Sequence, residues 1–137
     1  ANVSTMTAFA NDLSYDDMFV QQLHNLVRIG DVVIGISGSG NTPNIIKALM
    51  YAKNKGAITI GLLGYHSGGK AKEFVDYDIT VKSNNYGIIE DIHMVLNHLL
   101  TSCLAYMKEH SDNGKNLTGT SSKVHRVSEW TERSARR

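Results

Sequence analysis

Short unbroken apolar runs alternate with longer periodic stretches along this chain. Asp31–Ile36, Ala57–Leu63 and Tyr77–Val81 are compact runs rich in Ile, Val and Leu. Each is too short for a helix and reads as a buried strand. A helical pattern follows each one: Pro43–Lys55, a short stretch around Gly69–Phe74, and Ile88–Met107. In the last, Ile88, Ile89, Ile92, Val95, Leu96, Leu99, Leu100, Cys103, Leu104 and Met107 form a wide apolar stripe, suited to a core or a subunit interface. Tyr15–Val27 reads as a further helix, with Ser14 as its N-cap and Asp16 and Asp17 in its first turn. Strands alternating with helices predict an α/β fold with a parallel sheet and helices on its faces. Such sheets bind ligands at the carboxyl ends of their strands.

The loop after the first strand carries the chemistry. Ser37-Gly38-Ser39-Gly40-Asn41-Thr42-Pro43 turns from a strand into a helix start. Asn41 or Thr42 suits the N-cap, and Pro43 the first helical position. Backbone N–H groups and the helix dipole converge there, which favours an anion, most often phosphate. The hydroxyls of Ser37, Ser39 and Thr42 add donors. Pro43 replaces the third glycine of a dinucleotide fingerprint, and Ser39 breaks the G-x-S-x-G pattern of a nucleophile elbow. Gly64–Lys70 has the spacing of an ATP-binding loop, but Ala71 stands where a Ser or Thr must hold magnesium. That loop reads as an ordinary strand-to-helix turn.

Bulk properties narrow the class. The 137 residues suffice for one domain with a core, and 42% hydrophobic content with net charge +1 fits a soluble globule. No apolar run reaches membrane-spanning length and no signal peptide opens the sequence, which points to the cytoplasm. The lone Cys103 excludes an intrachain disulfide, and its apolar helical setting predicts a buried thiol. Residues 111–137 hold six of the 14 Lys and Arg and are poor in apolar side chains. They read as a flexible basic tail after a domain spanning 1–110. No aromatic platform accompanies the basic end, so nucleic acid is not an expected partner.

G-I-S-G-S-G-N-T-P-N-I-I-K-A-L resembles the central motif of the sugar isomerase (SIS) domain family, most of all its phosphoheptose isomerase branch. Ala10-Asn-Asp12 with Tyr15-Asp16, Gly64–Lys70 and Glu90–His98 agree in matching order. The resemblance implies a three-layer α/β/α sandwich of flavodoxin-like type. It also implies a start just after the family's second strand, leaving the sheet with an edge and a face uncovered. It further implies a sugar phosphate as ligand, a homo-oligomer (dimer or tetramer), no organic cofactor, and zinc. By carry-over, Ser37, Gly38, Ser39, Gly40, Asn41 and Thr42 bind phosphate, and Asn11 and Asp12 contact sugar hydroxyls. His98 matches a catalytic acid/base and zinc ligand. Glu90 matches a position, usually glutamine, that contacts substrate and metal, and is assigned the same catalytic, substrate and metal roles.

Bland readings stand beside these. His98, taken from the residues alone, reads as a partly buried histidine bonded to a carbonyl or carboxylate. Asn11 and Asp12 read alone as a turn or cap. His93 reads as helix packing; His24, His110 and His125 read as surface residues. Gly87 stands where the family tends to have an aspartate, and the family's catalytic glutamate helix has no counterpart here. Three readings follow: an aldose–ketose isomerase of the phosphoheptose type, a binding or regulatory module that takes phosphosugar without chemistry, or an inactive fragment.

Overall fold

The computed structural model describes residues 2–117, with side chains for 2–111. Three strands, β1 (Val32–Ser37), β2 (Ile58–Gly64) and β3 (Tyr77–Val81), form a parallel sheet in the order β1-β2-β3. Val32 aligns with Ile58, and Ile60 with Tyr77. The apolar runs thus form strands within one residue of the expected bounds. Parallel pairing follows because a crossing segment separates each strand from the next. The helices are α1 (Val3–Asp12), α2 (Met18–His24), α3 (Pro43–Asn54) and α4 (Tyr86–Leu117). Single 3₁₀ turns at Tyr15–Asp17 and Lys70–Phe74 complete the elements.

The amino end differs from the sequence reading. Val3–Asp12 is a helix capped by Asn2, whose Oδ1 accepts from Thr5 N at 3.3 Å. Tyr15–Val27 is not one helix but a 3₁₀ turn followed by α2. Ser14 makes no side-chain cap bond. Its hydroxyl donates to Asp17 at 2.6 Å, and Asp17 pairs with Lys47 of α3 at 2.8 Å. The Lys47 ammonium and the Ser14 hydroxyl hold the Asp17 carboxyl below its ordinary pKa.

Leu49 of α3, Leu63 of β2 and Ala71 make the centre of the core, with Ile45, Ile46, Phe74 and Val75 packed around them. At the strand starts, Asp76 accepts from the N–H of Thr59 at 2.9 Å and pairs with Lys53 at 3.1 Å. Those groups and the Thr59 hydroxyl pull its carboxyl down to about 2. The opposite sheet face is open at Val32, Ile34, Ile58 and Ile79, all at least 43% exposed. The expected uncovered face is therefore found.

The chain divides into two compact units, Ala1–Asn97 and His98–Arg137, with the boundary inside α4. The helix continues to Leu117, beyond the expected start of the tail at Ser111. The remainder of that tail, with His125, lies outside the described residues. In the second unit, residues 101–111 are all exposed. Cys103 is among them, so the expected buried thiol is corrected. Its apolar neighbours are exposed as well, and an apolar stripe buries a thiol only when another element covers it.

Candidate anion-binding cleft

β1 ends at Ser37, and α3 begins at Pro43 with Thr42 in the N-cap position. Thr42 makes no side-chain cap bond. Its hydroxyl lies 3.2 Å from Ser37 Oγ instead. Pro43 brings no N–H to the first helical position. The positive end of α3 thus meets the loop without a side-chain cap from Thr42, a setting that suits an anion. Inside the loop, Gly40 N donates to Ser37 Oγ at 3.0 Å and Asn41 N to Ser39 Oγ at 3.2 Å. These bonds hold the hydroxyl oxygens in place.

The second loop buttresses the first. Ala71 N donates to Gly40 O at 2.8 Å, and Lys70 N to Asn41 Oδ1 at 3.0 Å. Asn41 also donates to Ser39 O at 3.1 Å, so its side chain bridges both loops. Gly40 and Gly69 both have φ of +64° and pack backbone to backbone. A β-carbon on Gly69 would fall 2.5 Å from Ser39 O. Gly64–Lys70 therefore has a structural duty that its resemblance to an ATP loop did not suggest, and Ala71 is wholly buried in the core.

A cleft of about 710 Å³ opens beside the first loop, and its lining comes entirely from the first unit. Ser37, Gly38, Thr42 and Asn44 line its loop side, and Tyr86, Glu90 and His93 of α4 another. Met6, Tyr15 and Phe19 supply apolar surface from the amino-terminal helices. Glu90 is its one carboxylate, and the lining holds no Lys or Arg. An anion here would be held by hydroxyls, amides and the helix end rather than by a cation.

The structure brings Ser37, Gly38, Thr42 and Glu90 together around this cleft. Ser39, Gly40 and Asn41 shape the loop without lining the cleft. Asn11 and Asp12 are exposed at the end of α1, where Asn11 donates to Asp12 at 3.0 Å. His98 is exposed, lies in the second unit, and is not among the lining residues. His93 is the buried histidine bonded to a carbonyl: it is 5% exposed, with Nε2 at 3.0 Å from Leu63 O. The reading of His93 as packing is thus incomplete, since it also faces the cleft.

Sequence reasoning missed Tyr86 and Asn44. Tyr86 lies so close to Gly38 that a β-carbon there would fall 2.8 Å from the ring. Nothing in the order of residues signals that contact. For Asn44 a signal existed, a polar residue in the first turn of α3 beside the hydroxyl loop. Among the described residues, no group of three or more His, Cys, Asp or Glu side chains comes together to hold a metal ion. A zinc site needs about three protein ligands. Glu90 and His98 alone do not fit one.

The SIS domain pattern matches residues 2–64. The chain is 43% identical over 96 residues to the phosphoheptose isomerase of Maridesulfovibrio salexigens, covering 70% of this chain and 46% of that protein. It is 41% identical over 103 residues to the probable phosphoheptose isomerase of Thermoplasma acidophilum, covering 75% and 56%. Among solved structures, phosphoheptose isomerase GmhA from Neisseria gonorrhoeae superposes with a TM-score of 0.73 at 33% identity, over 77% of this chain and 59% of that one. The chain spans about half the length of the curated relatives it matches. The α/β class and the parallel sheet agree with this fold. The chain is an SIS-domain homologue of the phosphoheptose isomerases.

Proposed function

We propose that this chain binds a sugar phosphate and forms part of an aldose–ketose isomerase of the phosphoheptose type, acting in the cytoplasm. The observation that carries the reading is the Ser37–Thr42 loop. It sets two facing hydroxyls and a helix end with no side-chain cap from Thr42 beside a cleft wide enough for a sugar. The proposed phosphate contacts are Ser37 and Thr42 in the cleft, with Ser39 and the backbone of residues 38–42 in support. The N–H groups of Gly40 and Asn41 are already engaged by Ser37 Oγ and Ser39 Oγ. The sugar extends toward Glu90. Asn11 and Asp12 are the proposed contacts to sugar hydroxyls.

Aldose–ketose isomerisation moves a proton between neighbouring carbons through an enediol. It needs one base for carbon and one acid/base for the oxygens. Glu90 and His98 are the proposed pair. Glu90 is supported by its place in the cleft, and His98 by its match to the family's histidine. No step is assigned to zinc, because the described residues do not gather a site for it. The alternative is a binding module without chemistry. It is favoured by the scarcity of free proton carriers in the cleft, where the Nε2 of His93 is already engaged with Leu63 O.

An isomerase assay on sedoheptulose 7-phosphate, with and without added zinc, tests the reading. Turnover that falls about a hundredfold in His98→Ala, with phosphate affinity kept within about twofold, is the expected result. Turnover that survives His98→Ala contradicts the assignment of that residue. Binding without turnover supports the second reading.

We also propose a homo-oligomer. Ile88, Ile92 and Val95 of the first unit and Leu99, Leu104 and Met107 of the second are 39–65% exposed. Exposed apolar surface of this extent on each unit suits contact with another copy of the chain. Light scattering is expected to give a mass above that of one chain, and a stable monomer across micromolar concentrations contradicts the proposal.

A further inference from the structure

Asn44 is the second residue of α3 and is only 2% exposed. Residues of this type are rarely so buried unless their polar atoms are satisfied. Its Oδ1 accepts from the N–H of Ile45 at 2.8 Å. That bond sets the orientation of the amide, because only the oxygen can accept an N–H. The Nδ2 group is left with no hydrogen-bond partner among the described residues. Among those residues, no fully buried side-chain nitrogen or oxygen lacks a partner. The Nδ2 is therefore not sealed from solvent, and Asn44 lines the cleft beside Ser37 and Thr42.

An oriented amide donor is thus held at the end of a helix and opens into the proposed ligand cleft. We infer that Asn44 is a ligand-binding residue, its Nδ2 donating a hydrogen bond to an oxygen of the bound sugar phosphate. This rests on the proposed function. The chemistry is specific: the site asks for an acceptor, supplied by a phosphate oxygen, a hydroxyl or a carbonyl. The bond to Ile45 gives the amide its direction before any ligand arrives, so little rotamer freedom is lost on binding.

Asn44→Asp separates the two roles of the side chain. The carboxylate retains an acceptor for the Ile45 N–H and favours the helix N-terminus. It replaces the donor with a negative charge that faces the ligand. The melting temperature of Asn44→Asp is expected to stay close to that of the unsubstituted chain, while affinity for sedoheptulose 7-phosphate, measured by calorimetry, falls about tenfold or more. Asn44→Ala is expected to lose both stability and affinity. Inorganic phosphate is titrated in parallel. Weakening of both ligands places the contact on the phosphate, and weakening of the sugar phosphate alone places it on the sugar. Unchanged affinity for both in Asn44→Asp overturns the inference and leaves the proposed function standing. An unsubstituted chain that binds neither ligand overturns both.

Discussion

Gly40→Ala is expected to lower the melting temperature by about 10 °C and to remove phosphate binding, although residue 40 is not in the cleft lining. Two costs combine. At φ of +64° an alanine is held in the left-handed region, at a cost of about 1 kcal/mol. Its β-carbon would also collide with the backbone carbonyl oxygen of Gly68, and it would lie 3.0 Å from Gly69 N. No rotamer change relieves a clash between backbone atoms. The two loops must part, breaking the Ala71–Gly40 and Lys70–Asn41 bonds. A total of roughly 3 kcal/mol follows. Gly30→Ala is the control. Its φ is +85°, but nothing lies within 4 Å of the added carbon, so only the conformational cost of about 1 kcal/mol applies. Equal melting temperatures for the two variants would show that the loops are not locked together.

The second large effect concerns the hydroxyls. Replacing Ser37, Ser39 and Thr42 together by alanine is expected to weaken binding of a sugar phosphate at least a hundredfold. A hydrogen bond to a charged group contributes about 1.5–3 kcal/mol, and about 1.4 kcal/mol is a factor of ten. The three positions are not equal. Ser37 is 6% exposed and accepts the N–H of Gly40, so Ser37→Ala also leaves a buried donor without its partner. Ser39 supports the Asn41 N–H and does not line the cleft. Thr42 lines the cleft, and its side chain makes no cap bond. Thr42→Ala is therefore expected to cost the most affinity for the least stability. Calorimetry on the single variants, paired with melting curves, checks that order.

What could be read from the sequence follows from range. The strands were legible because Val-Val-Ile and Ile-Thr-Ile-Gly-Leu-Leu are apolar runs closed by Gly and Ser, a local signal. The anion loop was legible for the same reason, since a strand, a Ser/Gly turn and Pro43 lie within a few residues. α1 was not read, because Val3, Thr5 and Thr7 are weak helix formers and the helix buries no residue. Burial of single side chains depends on what arrives from far along the chain. Cys103 shares an apolar stripe with Ile89, yet Ile89 is fully buried and Cys103 exposed. His93 and His98 look alike in sequence. Only the approach of Leu63 O, thirty residues away, singles out His93 as the bonded one. The buried amide of Asn44 and the contact of Tyr86 with Gly38 are likewise long-range facts.

The central claim is that the Ser37–Thr42 loop at the start of α3 holds the phosphate of a sugar phosphate. The most direct test follows the backbone amide resonances of this chain by NMR while sedoheptulose 7-phosphate is added. The expected result is saturable shifts concentrated at the amides of residues 38–42 and 44, produced at the same residues by inorganic phosphate and absent from the triple alanine variant. Saturable shifts centred elsewhere, with those amides unmoved, would contradict it.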